Sequence, residues 1–127
     1  MAAELSYEER VQLTRAVVKT LRAWGVAAEQ QGALLGLGTA TRQREMNRYR
    51  LGASLPDVGD VYARIELLLR VDAALRLVFP HCGAAADLWV TTPLPRFGGL
   101  AALDVMVEDG LNGMHCVMDA LDARPPF

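Results

Sequence analysis

The sequence predicts an all-α fold, and three observations carry that prediction. Apolar residues recur at intervals of three and four along most of the chain, the spacing that gathers them on one face of a helix. Gly, Pro and Ser/Thr signals cut the pattern into pieces of helical length. No segment sustains the alternating, β-branched pattern of a half-buried strand.

The first helix opens on Ser6-Tyr7-Glu8-Glu9, a capping box in which the Ser hydroxyl accepts from the third amide and the Glu reaches back to the cap. Val11, Leu13, Ala16, Val17, Leu21 and Trp24 follow at helical spacing, and Gly25 ends the helix. A second helix is expected from about Ala27 to Leu35, burying Ala28, Leu34 and Leu35 and broken by Gly36-Leu37-Gly38. Thr41 is placed to cap a third, about Arg42 to Tyr49, with Met46 and Tyr49 turned inward. Gly52, Ser54 and Pro56 make the next break. A long helix then runs from Asp57 to Phe79, with Val58, Val61, Ile65, Leu68, Leu75 and Phe79 on one side and Arg64, Arg70 and Arg76 on the other. Pro80 stops it. A short helix from Ala84 to Val90 leads into a Pro-rich arm and the turn at Gly98-Gly99. Two amphipathic helices close the pattern: Leu100 to Val107, with Leu100, Leu103, Met106 and Val107 apolar, and Leu111 to Leu121, with Leu111, Met114, Met118 and Leu121 on one face. Glu108-Asp109-Gly110 turns the chain between them, and Pro125-Pro126-Phe127 is an extended tail.

A chain of 127 residues makes one compact domain or two very small ones sharing a core. Apolar residues reach 52% and aromatics only 6%, so Leu, Val, Ala and Met build the core. The apolar runs fall far short of the ~20 residues of a membrane span, and the first residues lack the basic and apolar regions of a secretion leader. Two cysteines 34 positions apart, Cys82 and Cys116, fit a reducing cytoplasm better than a disulfide scaffold; small buried side chains are their expected role. The net charge of −2 divides unevenly: residues 1–80 hold 11 basic and 9 acidic side chains, residues 81–127 hold 2 and 6. The basic excess concentrates in Thr41 to Arg50, with Arg42, Arg44, Arg48 and Arg50 against Glu45 alone, and a basic cluster on one element with an acidic second half points to two different partners.

Helix, Gly, short helix, turn and basic helix is the order of a helix-turn-helix module. Arg donates in pairs to guanine, and Gln or Asn to adenine; Gln43, Arg44, Asn47, Arg48 and Arg50 join Arg42 on or beside the third helix. Thr39 and Thr41 at its amino end can donate to phosphate. The turn from Gly36 to Thr41 is longer than the usual three to four residues, so a three-helix bundle that keeps the shape without gripping DNA stands beside the nucleic-acid reading.

Catalysis has no candidate: no Ser/His/Asp or Cys/His arrangement stands in a recognisable context, and Gly36-Leu37-Gly38 lacks the rest of a dinucleotide fingerprint. No cofactor is expected. His81-Cys82 and His115-Cys116 look paired, but neighbours on a helix point about 100° apart and do not chelate well. No metal site is therefore expected.

From about Leu21 to Ala123 the chain resembles the Xre/MbcA/ParS antitoxins. In the first half the likeness rests on Leu21-Arg22-Ala23-Trp24-Gly25-Val26, Leu34-Leu35-Gly36-Leu37 and Arg48-Tyr49-Arg50-Leu51-Gly52. It continues through Leu67-Leu68-Leu69-Arg70-Val71, Ala74-Leu75 and Phe79-Pro80. In the second half it rests on Asp87-Leu88-Trp89-Val90-Thr91-Thr92-Pro93, Phe97-Gly98-Gly99, Ala102-Leu103-Asp104-Val105-Met106, Gly110-Leu111 and Leu121-Asp122-Ala123. The chain departs from the family at Leu94-Pro95, where an Asn is common, and at Val117-Met118, where many members carry a basic pair.

The resemblance implies an Xre-like helix-turn-helix over residues 1–55, a connecting helix over 56–80 and a toxin-binding module over 81–127. It implies a type II antitoxin without enzymatic activity, which covers the active site of a RES-domain toxin acting on NAD and represses its own promoter. A homodimer through the first module or the long helix is expected from the palindromic sites that helix-turn-helix proteins match. The alternative is a stand-alone transcriptional regulator whose second module binds another protein. On the toxin-binding module the candidates are Arg96, Phe97, Glu108, Asp109, Met114, Met118, Asp119, Asp122, Arg124 and Phe127. Phe97 suits either an exposed anchor or a packed lid, the Met residues either an adaptable stripe or core. Arg124 on the tail can bring a guanidinium to a nucleotide-diphosphate pocket.

Overall fold

A computed structural model describes residues 5–37 and 43–123. The described residues contain helices and no strand: α1 (Tyr7–Ala23), α2 (Ala28–Leu35), α3 (Gln43–Arg50), α4 (Val61–Val78), α5 (Gly83–Trp89), a single 3-10 turn (Pro95–Phe97), α6 (Ala102–Asp109) and α7 (Leu111–Asp122). The fold is all-α, as the periodicity predicts. The chain divides into two compact units, Met1–Glu66 and Leu67–Phe127, with the boundary inside α4.

In the first unit, the capping box at Ser6 forms in both directions, the hydroxyl accepting from the Glu9 amide at 3.1 Å and the Ser6 amide donating to Glu9 at 2.9 Å. The hydrogen bond from the Ser6 amide, with the Ser6 hydroxyl beside the carboxylate, lowers the Glu9 pKa from its ordinary value. α1 ends in a Schellman motif: Gly25 adopts φ +75°, its amide donates to Arg22, and the Val26 amide reaches back to Leu21. α2 ends the same way at Gly36. Val17, Val18, Leu21, Trp24, Leu34, Leu35, Met46, Leu55 and Ile65 fill the core. Two polar side chains clamp the backbone of Leu55, which crosses that core. The Thr14 hydroxyl accepts from its amide at 2.9 Å, and the Tyr62 hydroxyl donates to its carbonyl at 2.7 Å. Burial raises the Tyr62 pKa above that of a free phenol.

The long helix differs from expectation at its start and on its polar face. It begins at Val61 rather than Asp57, because Gly59 takes a left-handed φ of +53°. Val58, expected in the core, lies before that turn and is 60% exposed. Arg64 is not a solvated face. It pairs with Asp60 at 2.9 Å and donates to the carbonyls of Ala33 and Leu34, satisfying the end of α2 with a cation where the helix dipole favours one.

The second unit buries Leu68, Val71 and Leu75 of α4 with Trp89, Val90, Phe97, Met106, Met114, Val117 and Leu121. Arg76 also turns to structural use, bonding Asp72, Asp87 and the Gly83 carbonyl and so tying α4 to α5; both carboxylates raise its pKa. α6 begins at Ala102 rather than Leu100, and Glu108 and Asp109 complete its last turn instead of forming the turn. The Asp104 carboxylate caps it, accepting from the Ala101 amide at 3.1 Å. At the α6–α7 contact Gly113 has no room for a side chain: a Cβ would collide with the Val105 carbonyl and come within 3.0 Å of the Met106 Cα.

Candidate functional site

α3 is a short basic helix with one inward anchor. Met46 is buried. At 3.6 residues per turn Arg44 and Arg48 point about 160° away from it, and both are exposed. Gln43 and Asn47 flank that face and are joined by an amide-to-amide hydrogen bond of 3.0 Å. Arg50, at the last position of α3, turns toward α1 and lines a groove with Arg15, Val18, Lys19, Arg22 and Ala23. The basic residues expected to act together are thus divided between two surfaces. Thr39, Thr41 and Arg42 lie outside the described residues. The separation of Arg50 comes from its 100° step per residue and from its place at the end of the helix; neither is visible in a cluster count.

In the second unit the Pro-rich arm is a closed loop. The Leu94 amide donates to Leu100, the Gly99 amide returns to Leu94, and the Leu103 amide donates to Val90. Consecutive left-handed residues, Gly98 at φ +67° and Gly99 at φ +88°, allow the reversal. Pro95 starts the 3-10 turn that carries Arg96 and Phe97. Phe97 is 9% exposed and meets Trp89 edge-on, ring centroids 6.2 Å apart and planes at 78°, a favoured aromatic geometry. It packs as the lid, and Arg96 beside it is exposed.

Around α7 the candidates also separate. Met114 is 0% exposed, so it is core and offers no contact surface, while Met118 is half-buried. Asn112, His115, Asp119 and Asp122 fall on one exposed stripe, recurring at three and four residues. Glu108 and Asp109 are exposed too, at the Gly110 hinge. The four carboxylates do not form one rim. Asp119 lies nine residues beyond the hinge, roughly 13 Å along the helix. Arg124 and Phe127 lie outside the described residues. Cys82 and Cys116, expected to be buried, are both exposed free thiols, because each sits at an outward or cap position. Among the described residues no three His, Cys, Asp or Glu side chains gather into a metal site.

Two family comparisons cover nearly all of this architecture. The Antitoxin Xre-like helix-turn-helix domain matches residues 10–70, spanning α1 to α3 and the start of α4. The Antitoxin Xre/MbcA/ParS C-terminal toxin-binding domain matches residues 74–124, spanning the end of α4, the closed arm and both final helices. The chain belongs to the Xre/MbcA/ParS antitoxins. A search of curated proteins finds no match. In this antitoxin the exposed α3 face falls within the helix-turn-helix match, and the arm and the α7 stripe fall within the toxin-binding match. No helix among the described residues is long and apolar enough to cross a membrane. Asn112 and His115 of the stripe were absent from the sequence-derived candidates. Their spacing to Asp119 and Asp122 was the available signal.

Proposed function

We propose that this antitoxin neutralises a cognate RES-domain toxin, an enzyme acting on NAD, by covering its active site with residues 81–127. Residues 1–55 bind the operator of the pair's own promoter as a homodimer, and the protein acts in the cytoplasm without catalysis of its own. The observation that carries the reading is the toxin-binding domain match over residues 74–124, laid on an arm whose Phe97 packs edge-on against Trp89.

Electrostatics supports the direction of the contact. Glu108 and Asp109 sit in the last turn of α6, Asp119 and Asp122 in the last turn of α7. Carboxylates there face the negative end of the helix dipole and cost about 0.3–1 kcal/mol each. A site built to hold the pyrophosphate of NAD is rich in cations and amide donors, so it supplies a counter-charge that these four positions do not find among the described residues. Arg96, Met118, the acidic pairs, and Arg124 and Phe127 beyond the described residues are the proposed toxin contacts. Arg44, Asn47 and Arg48 on α3, flanked by Gln43 and preceded by Thr39, Thr41 and Arg42, are the proposed operator contacts.

Co-expression provides the test. A RES-domain toxin encoded beside this chain should arrest growth and lower cellular NAD when expressed alone, and both effects should be reversed when the antitoxin is supplied. Persistent NAD loss with both proteins present, and no complex on size-exclusion chromatography, would overturn the reading.

A further inference from the structure

We propose that the groove between α1 and the end of α3 is a second nucleic-acid contact, a seat for the phosphodiester backbone of duplex DNA separate from the α3 face. The proposal rests on the first unit working as a DNA-binding module and adds a site to it.

The groove, about 510 Å³, is lined by Arg15, Val18, Lys19, Arg22, Ala23 and Arg50. Arg15, Lys19 and Arg22 follow at intervals of four and three, which places them on one stripe of α1, and Arg50 joins them from α3. No carboxylate lines the groove. Apart from Arg44 and Arg48 on the α3 face, the described cations of this unit sort into two kinds. Arg10 pairs with Asp57 and Arg64 with Asp60, and Arg64 also bonds the end of α2. Arg15, Lys19, Arg22 and Arg50 form no ion pair among the described residues. Four like charges facing one groove repel each other, and no described carboxylate lies on its lining to offset that repulsion. An anion would.

The chemistry favours a phosphodiester chain over an acidic protein. The groove gives no large apolar anchor, since Val18 is 1% exposed and the other apolar residue on its lining is the small Ala23, and protein partners depend on large apolar or aromatic anchors. Guanidinium forks match phosphate oxygens in pairs. Arg50 lies on the same helix as Arg44 and Arg48, so a duplex read by the α3 face carries flanking phosphates past the end of that helix. Backbone contacts of this kind fix position and add affinity without sequence information.

The experiment compares wild type with R15Q/K19Q/R22Q, all three positions being exposed, on the pair's own promoter fragment and on a scrambled duplex. Binding is measured between 50 and 200 mM NaCl, and circular dichroism checks that the fold is kept. Each lost phosphate contact lowers the slope of log K against log salt by about 0.9, so a drop of roughly two to three is expected. Affinity should fall equally on both duplexes, leaving the operator preference unchanged, and R15K/R22K should keep the wild-type slope. An unchanged slope, or a loss confined to the promoter, overturns the groove. So does an unchanged slope with reduced self-association at low salt, which would make the acidic half of a second copy the occupant. Wild type that binds both duplexes equally, with the slope lowered in the variant, sustains the groove and sinks operator recognition. Wild type that binds neither overturns both.

Discussion

Gly113 shows what one residue decides in this protein. It sits in the first turns of α7, where a side chain would run into the Val105 carbonyl and the Met106 Cα of α6, so its missing Cβ lets the two final helices approach closely. G113A would force them apart or strain α6. Overpacking of this kind costs about 1–3 kcal/mol, which a lowered urea midpoint with an unchanged m-value would report. N112A, exposed on the same turn, should leave the midpoint where it is. Periodicity could not flag Gly113, because a glycine inside an apolar helical pattern reads only as a weak helix former. Arg64 and Arg76 were misplaced for a related reason. A long cation on the polar side of a helix looks solvated in sequence, whereas one here caps α2 and the other ties α4 to α5. The Ser6–Glu9 capping box was legible because both partners lie within one turn.

At the scale of elements, helix existence and order followed from apolar spacing and punctuation, and the departures trace to glycine and to the arm. Gly59 moved the start of α4, and the return bond from the Leu94 amide to Leu100 drew Leu100 out of α6 into the loop. The 3-10 turn at Pro95–Phe97 has no periodic signature at three residues. That arm is also where the candidate site is decided. With Phe97 packed on Trp89, F97A should cost about 3 kcal/mol, the lower end for a buried Phe, and should lose toxin neutralisation in parallel with stability at growth temperature. F97L should retain most of both. R96A, at an exposed neighbour, should leave thermal stability unchanged and weaken the toxin complex alone. If F97A kept its stability while losing the toxin, Phe97 would be an anchor instead of a lid. Chemical denaturation beside a pull-down of the toxin separates the two cases.

At the scale of the whole molecule, the charge split of the sequence and the division of the chain coincide in meaning. The first unit, with its own core of Val17, Leu21, Leu34, Leu35 and Met46, carries the α3 face. The second, with its own core of Leu75, Trp89, Met106 and Met114, carries the arm and the acidic pairs. Charge counts alone indicated two partners; only the cores show that each partner's surface has separate support. Substitutions at exposed positions of one unit should therefore leave the other unit's work intact, since each surface rests on its own core. R44A/R48A should abolish discrimination between promoter and scrambled duplex while still rescuing growth from the toxin. D119N/D122N should weaken the toxin complex by about tenfold, the scale of one or two exposed charge contacts, and leave DNA retardation unchanged. Rescue and retardation measured on the same two variants give the result, and a variant that lost both activities at wild-type stability would show that the two surfaces act as one.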